Sequence, residues 1–137
     1  MILVDTSAWV EFDRATGSPV DGRLTQLITD DADIAVTEPV VAEVLSGART
    51  DDRERQLRRL MNRFALLPFD AATDFDGAVR VYRRCRQLGT TPRGLLDCAI
   101  AAIAIRTGSY LLAADADFAR IADVMDLRLD DATPRPA

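Results

Sequence analysis

Short apolar segments alternate with longer helix-forming segments along the whole chain, and few folds accommodate this pattern. Runs such as ILV and IAV are wholly apolar, as in strands of a parallel sheet that is covered on both faces. Strands are predicted at residues 2–5, 33–36, 65–69 and 109–114, with a short fifth at 127–129. Helices are predicted near residues 6–14, 20–31, 38–47 (with Thr37 as the N-cap), 50–64, 70–89, 94–107 and 115–124. The order of these elements predicts an α/β fold, in which ligands bind beyond the carboxyl ends of the strands.

The length and composition fit a single domain. The chain has 137 residues, of which 48% are apolar, and it contains no repeat or linker. We expect the domain to span residues 1–130 and residues 131–137 to form a C-terminal tail, with the segment DDATPRPA frayed. No apolar run approaches the ~20 residues that span a membrane, and the N-terminus lacks the basic region of a signal peptide. A cytoplasmic protein is therefore expected.

Two absences narrow the chemistry that this chain can perform. The sequence contains no histidine and no lysine, so all 17 basic residues are arginine. Catalytic triads, Cys–His pairs, Schiff bases and P-loop lysines are excluded. Cys85 and Cys98 form no motif and are expected to be free thiols, and without histidine they argue against a zinc site. The net charge of −5 argues against a basic nucleic-acid coat but not against a local arginine cluster.

Four carboxylates stand where an α/β core is expected. Asp5 and Asp115 close the first and fourth predicted strands. Glu43 and Asp97 interrupt the apolar helices PVVAEVLSGA and GLLDCAIAAIAI. Asp117, two residues after Asp115, is a weaker candidate. Because burying an unpaired carboxylate is costly, we expect the four to converge on one wet site and to share a cation.

The type of ligand predicts the type of metal. A cluster of carboxylate oxygens with neither histidine nor cysteine favours a hard cation, Mg²⁺ or Mn²⁺ and less readily Ca²⁺. Such a site suits the hydrolysis of a phosphodiester, because a bound metal activates water and stabilises the attacking and leaving oxygens.

Each carboxylate also has a purely structural interpretation. Asp5 fits the N-cap of a helix that begins at the next residue. Glu43 fits an ion pair with a distant arginine, and Asp97 fits one with Arg93, four residues earlier. The two acids after the fourth strand fit a turn before a helix. One metal site is favoured over these separate explanations because it accounts for all of the positions at once.

Four blocks of the sequence resemble the acidic motifs of PIN-domain ribonucleases, most closely those of VapC-type toxins from bacterial toxin–antitoxin pairs. The blocks are ILVDTSAWVEF, EPVVAEVLSGA, RGLLDCAIAAIAIRTG and LLAADADFARIA, and they cover nearly the whole chain in the family's order. The resemblance implies a PIN fold, with a five-stranded parallel sheet and helices on both sides. Residue by residue, it places the acidic site at Asp5, Glu43, Asp97 and Asp115, with Asp117 as a fifth candidate.

The resemblance also implies an activity and partners. It implies a Mg²⁺-dependent endoribonuclease that cuts structured RNA such as tRNA or ribosomal RNA, with Mn²⁺ able to substitute. It further implies a cognate VapB-type antitoxin that covers the active groove, and a homodimer of the toxin. Thr6 or Ser7, beside the first aspartate, would orient a water or a phosphate. Ala113 and Ala114 replace a polar or basic pair found in many relatives, which affects substrate choice but not the metal ligands.

Arginines crowd two of the predicted helices. One group comprises Arg53, Arg55, Arg58, Arg59 and Arg63, and the other comprises Arg80, Arg83, Arg84 and Arg86. Arginine suits bidentate contacts with phosphate, so part of the second group is predicted to bind RNA. The predicted RNA contacts are Arg80, Arg83, Arg84 and Arg93. The first group is better explained as a solvated helix face with internal pairs such as Glu54 with Arg58.

A metal-dependent ribonuclease is the function that these features favour. The alternative is a catalytically silent PIN-like module that acts only by binding RNA or a partner, and the intact acidic set argues against it. A phosphoryl-transfer enzyme or receiver domain usually has a lysine near the phosphate, and this chain has none.

Overall fold

The fold is α/β, as seen in a computed structural model that describes residues 1–92 and 94–136. In these residues five parallel strands form one sheet: β1 (Ile2–Val4), β2 (Ile34–Val36), β3 (Ala65–Leu66), β4 (Tyr110–Leu112) and β5 (Arg128–Leu129). The same residues form seven helices: α1 (Thr6–Asp13), α2 (Pro19–Thr29), α3 (Glu38–Ser46), α4 (Asp51–Met61), α5 (Ala71–Gln87), α6 (Leu95–Thr107) and α7 (Asp117–Val124). The predicted fold class and the alternation of strands and helices are confirmed.

The topology puts the first strand at the centre of the sheet, in the order β3-β2-β1-β4-β5. The chain steps from β1 to β2 and β3 on one side and then crosses to β4 and β5 on the other. Right-handed crossovers therefore place α1–α4 on one face and α5–α7 on the opposite face. The order in which the chain adds strands to the sheet therefore reverses between the neighbouring strands β1 and β4. These two strands pair through Val4 and Leu112. This is the switch point at which a doubly wound sheet places its ligand site.

Helix α6 is buried over most of its length, as its apolar sequence predicts. All residues from Cys98 to Ala104 are buried. Helix α5 crosses it closely at Gly77, where an added Cβ atom would lie 2.9 Å from the Cβ of Ala102. Although α6 is apolar, neither it nor any other helix in the described part of the chain is long and apolar enough to cross a membrane. Its packing gives the residues of its first turn, including Asp97, a rigid support.

The third strand is shorter than predicted. The sequence predicts a strand over residues 65–69, but β3 ends at Leu66. The Leu67 N–H still donates to the Val36 carbonyl at 2.8 Å. The next N–H on the same side of the strand, that of Phe69, donates instead to Oε1 of Glu38 at 3.0 Å, so the ladder ends there.

The C-terminal segment is anchored to the sheet, so the prediction that it frays from residue 130 is wrong for its first residues. The Thr133 hydroxyl donates to the Leu111 carbonyl at 3.1 Å and accepts from the Ala113 N–H at 3.1 Å. Asp130, the first residue of the segment predicted to fray, is buried and pairs with Arg23 at 3.0 Å. The Thr133 hydroxyl thus gives a partner to the Ala113 N–H, which lies just beyond the end of β4.

Candidate functional site

Asp5 follows the central strand β1 and is the N-cap of α1. Its Oδ2 atom accepts hydrogen bonds from the Ser7 N–H at 3.0 Å and from the Ser7 hydroxyl at 2.6 Å. Its Oδ1 atom is buried and accepts no hydrogen bond from any described residue. The N-cap interpretation therefore accounts for one oxygen only: Oδ2 caps the helix, and Oδ1 has no partner among the described residues.

Burial dominates the electrostatics of Asp5. The residue is only 4% exposed, and this burial raises the pKa of its carboxyl group above the usual 3.8. The hydrogen bonds from Ser7 lower the pKa, and the negative charge of Glu43 raises it. A cation stabilises a carboxylate that is buried, partly unpartnered and influenced by a second negative charge.

Ser7 joins the acid of β1 to the segment that follows β4. Its hydroxyl donates to Asp5 and accepts a hydrogen bond from the Ala114 N–H at 2.9 Å. Because Asp115 is the next residue, this contact holds its backbone at the edge of the sheet near Asp5. The resemblance implies that Ser7 orients a water or a phosphate. In the structure its only hydroxyl proton is donated to Asp5, so Ser7 positions the carboxylate.

Glu43 lies on α3, and its Oε1 atom accepts a hydrogen bond from the Thr6 hydroxyl at 2.7 Å. The expectation that Glu43 is buried in an apolar helix is wrong, because the residue is exposed. The buried face of α3 carries Val40 and Val44, and Glu43 lies off this face. Among the described residues no arginine forms an ion pair with Glu43, which removes its structural alternative.

A cleft of about 510 Å³ opens beside Glu43 and Thr6. Its other lining residues come from α3, from α5 and the segment before it, and from the first turn of α6: Pro39, Ala42, Ser46, Phe69, Phe75 and Leu96. Since Asp97 directly follows Leu96, the start of α6 reaches the region of the Thr6–Glu43 contact. The cleft therefore brings the segments around the first three predicted acids together.

Asp97 and Asp115 are both half-buried. Asp97 lies in the first turn of α6, where the helix begins near the carboxyl edge of the sheet before running back toward the start of β4. The Oδ1 atom of Asp115 accepts a hydrogen bond from the Asp117 N–H at 2.9 Å, and Asp117 pairs with Arg120 at 3.2 Å. Arg93, predicted to pair with Asp97 or to contact phosphate, lies outside the described residues.

The predicted ligands are not gathered into one closed cluster. No three acidic or thiol side chains within residues 1–92 and 94–136 lie close enough together to hold a metal ion. Mg²⁺ usually takes one or two carboxylates and keeps several waters, so a complete cage is not required. The buried, unpartnered Oδ1 of Asp5 is the feature that fits a cation.

Ion pairs engage arginines of both groups. On α4, ion pairs join Arg53 with Asp13, Arg55 with Asp52, and Arg58 with Glu54. On α5, Arg80 is paired with Asp76. Arg83 and Arg84 are exposed and form no ion pair with any described residue. The charges of these two arginines are therefore available to a phosphate.

Sequence reasoning missed two polar features of this edge. The Thr6–Glu43 hydrogen bond joins residues 37 positions apart, and no local pattern signals it. Thr37 is the predicted N-cap of α3, and its carbonyl does accept a hydrogen bond from the Val41 N–H. Its hydroxyl, however, is buried and forms no cap hydrogen bond.

Three comparisons relate the chain to known proteins. A model of the PIN domain matches residues 2–124. Ribonuclease VapC11 of Mycobacterium tuberculosis is 46% identical over 129 residues, which are 93% of this chain and 96% of that protein. The crystal structure of VapBC2 from Rickettsia felis, bound to a DNA fragment from their promoter, matches with a TM-score of 0.73 at 19% identity, over 95% of this chain and 98% of that one. VapBC-1 from nontypeable Haemophilus influenzae has the same TM-score at 20% identity, over 96% and 98%.

Proposed function

The chain belongs to the PIN-domain family, and we propose that it is a metal-dependent endoribonuclease of the VapC type. The relative from Mycobacterium tuberculosis, which matches nearly the whole chain, carries the name ribonuclease. The observation that carries the proposal is the buried Oδ1 atom of Asp5, which has no described donor at the switch point of the sheet. Such an oxygen is costly to bury unless a ligand of opposite charge meets it.

Four acids are proposed to hold the metal: Asp5, Glu43 (through a water), Asp97 and Asp115, with Asp117 as a further, weaker ligand. An all-carboxylate set favours Mg²⁺, which Mn²⁺ can replace. When bound, such a cation lowers the pKa of a water molecule and offsets the negative charge of the scissile phosphate.

The hydroxyls beside the first acid fix the direction of the carboxylates. Ser7 holds Oδ2 of Asp5 through two hydrogen bonds, so that Oδ1 is the oxygen that faces the ligand. Thr6 holds Oε1 of Glu43. Because Glu43 is exposed in an open cleft, its carboxylate can accept the proton of an attacking water.

Arginines near the start of α6 are proposed to bind the RNA. Arg83 and Arg84 contribute most, because both are exposed and neither has an acidic partner among the described residues. Arg80 contributes less, since it must leave its acidic partner on α5. Arg93 is included on its position in the sequence. The proposed substrate is structured RNA such as tRNA or ribosomal RNA, and the alanine pair before Asp115 offers no polar side chain to select it.

Two protein partners are proposed, a second copy of the chain and a VapB-type antitoxin. Phe75, Val79, Leu95 and Leu96 are exposed apolar residues on α5 and α6, and two of them line the cleft beside Glu43. Exposed apolar residues beside a site support a protein interface, here that of a homodimer. The antitoxin is proposed to cover the cleft and so to inhibit cleavage, in the cytoplasm where the RNA is found.

Sequencing of RNA 5′ ends after induced expression tests this function and identifies the target. The wild-type chain should create new 5′ ends at defined sites, and Asp5→Asn should create none. Asp33→Asn is the matched control, because Asp33 is an exposed acid at the start of β2, at the opposite edge of the sheet. The purified protein should cleave with Mg²⁺ or Mn²⁺ and stop with EDTA. Wild-type cleavage by Asp5→Asn would refute the site, and RNA binding without cleavage would favour a silent module.

A further inference from the structure

We infer that Thr37 is a further positioning residue of the carboxylate site: its hydroxyl holds a water molecule beside Asp5 and so contributes to binding the cation. The inference rests on the proposed metal site, and it concerns a residue outside the acidic set.

Thr37 and Asp5 hold equivalent places on neighbouring strands. The parallel register pairs Leu3 with Ala35, and two residues further it sets Asp5 opposite Thr37. Each is the first residue after its strand, and each is the N-cap of the helix that follows. Because side chains at paired positions of adjacent strands point to the same face of a sheet, these two side chains are neighbours at its carboxyl edge.

The Thr37 hydroxyl lacks the contact that its position usually provides. An N-cap threonine normally accepts a hydrogen bond from the N–H of the second or third helical residue. The second residue of α3 is Pro39, which has no N–H, and the hydroxyl forms no cap hydrogen bond. Thr37 is 0% exposed, and its Oγ1 atom has no hydrogen-bond partner among the described residues.

Two buried, unpartnered oxygens thus belong to neighbouring side chains, Oγ1 of Thr37 and Oδ1 of Asp5. Buried polar atoms almost always have a partner, and ordered water supplies it where the protein does not. A water molecule can accept a hydrogen bond from the hydroxyl and donate one to the carboxylate. Since Mg²⁺ and Mn²⁺ keep several waters, a side chain that orients one of them strengthens metal binding without touching the metal.

Titration of the purified full chain with Mn²⁺, followed by electron paramagnetic resonance of the unbound ion, measures this contribution. Thr37→Val keeps the side-chain shape and removes the hydroxyl, and we expect it to weaken Mn²⁺ binding about tenfold. Its metal-free melting temperature should stay the same or rise, because the hydroxyl has no protein partner to lose. Thr37→Ser keeps the hydroxyl and should restore most of the affinity. Ser109→Ala, which removes a buried hydroxyl just before the start of β4, is the matched control and should bind Mn²⁺ normally.

The outcomes separate this inference from the function on which it rests. If the wild-type chain binds Mn²⁺ and Thr37→Val binds it equally well, the inference is wrong and the metal site stands. An equal loss of affinity in Thr37→Val, Thr37→Ser and Ser109→Ala would also overturn it, since that loss would reflect general destabilisation. If the wild-type chain binds no Mn²⁺, the proposed metal site fails and the inference falls with it.

Discussion

Asp5 and Asp74 are both buried carboxylates, 4% and 1% exposed, but their oxygens have different partners. Arg106 donates to Oδ1 of Asp74 through Nε and to Oδ2 through a terminal nitrogen, each at 2.9 Å. The Asp70 N–H donates to Oδ2 as well, at 2.8 Å. In Asp5, Oδ2 accepts two hydrogen bonds, one from the N–H and one from the hydroxyl of Ser7, and Oδ1 accepts none from the described residues. The protein therefore neutralises Asp74 internally, whereas Oδ1 of Asp5 has no partner among the described residues.

The two acids also differ in what their contacts do and in the electrostatics that result. The Asp74–Arg106 pair ties α5 to α6, and Arg106 also donates to the Pro68 carbonyl at 3.0 Å. The hydrogen bond with Asp74 raises the pKa of Arg106, as expected for a pair that stabilises both charges. Burial raises the pKa of Asp5, and the negative charge of Glu43 raises it further. Burial alone does not separate these two acids, whereas the hydrogen bonds that their oxygens accept do.

The largest expected effect is the loss of cleavage in Asp5→Asn. We expect RNA cleavage to fall about 1,000-fold or more, because a charge that serves the reacting phosphate is removed from a buried position. Asp74→Asn should keep cleaving at temperatures at which it remains folded. Initial rates on the target RNA with Mn²⁺ measure both. An equal loss of cleavage rate in the two variants, after correction for the folded fraction, would show that Asp5 and Asp74 do not differ in their roles.

The second largest expected effect is a loss of folding stability when Asp74 is changed. Asp74→Ala leaves Arg106 without its partner and should lower the free energy of unfolding by about 3 kcal/mol. This is the lower end of the range for buried pairs, because the Arg106 side chain is 37% exposed. Urea unfolding measures it. Asp76→Ala, which breaks the exposed pair with Arg80, is the control and should change the free energy by about 0.5 kcal/mol or less.

A change of Asp5 should alter the free energy of unfolding less than the change of Asp74, and in the opposite direction. Without metal at pH 7, Asp5→Asn should raise the free energy of unfolding by about 1 kcal/mol, because a buried charge is removed. The amide oxygen can still accept both hydrogen bonds from Ser7. The same urea experiment tests this, and a destabilisation like that of Asp74→Ala would mean that Asp5 is mainly structural.

The smallest expected effect concerns the reactivity of the two buried thiols, because neither thiol carries a charge near neutral pH. Cys85 and Cys98 are buried, and burial raises the pKa of both, that of Cys98 to about 12. A thiol reacts as its thiolate, so the raised pKa keeps both groups protonated and slow to alkylate at pH 8. Labelling with iodoacetamide should accelerate when urea unfolds the chain, and in the native state only as the pH rises toward the shifted pKa. Rapid native labelling at pH 8 would show that α5 and α6 are more open than described.

Local patterns were sufficient for the fold, because each element depends on residues close in sequence. The apolar runs located β1, β2 and β4, and the apolar stretch after Gly94 located α6 to within a residue. The predicted strands at residues 65–69 and 109–114 were both too long, since β3 ends at Leu66 and β4 spans Tyr110–Leu112. Parallel strands separated by helices then left little choice of architecture.

The site could be predicted only in part, because its contacts are between distant residues. Asp5 stood out because it ends a buried strand. Asp74 looked like any surface acid, and its partner Arg106 lies 32 positions away. Glu43 has apolar neighbours in sequence, but the helical period turns it away from the buried face. Whether the Thr37 hydroxyl caps its helix depends on the local geometry, which the composition of the segment does not reveal.

Thermal unfolding with and without Mn²⁺ tests most directly the claim that Oδ1 of Asp5 serves a cation. At a Mn²⁺ concentration about 100 times the Kd, binding to the folded state stabilises it by about 2.7 kcal/mol. The melting temperature of the wild-type chain and of Asp76→Asn should therefore rise by several degrees, and that of Asp5→Asn should not change. An equal rise in all three would contradict the account.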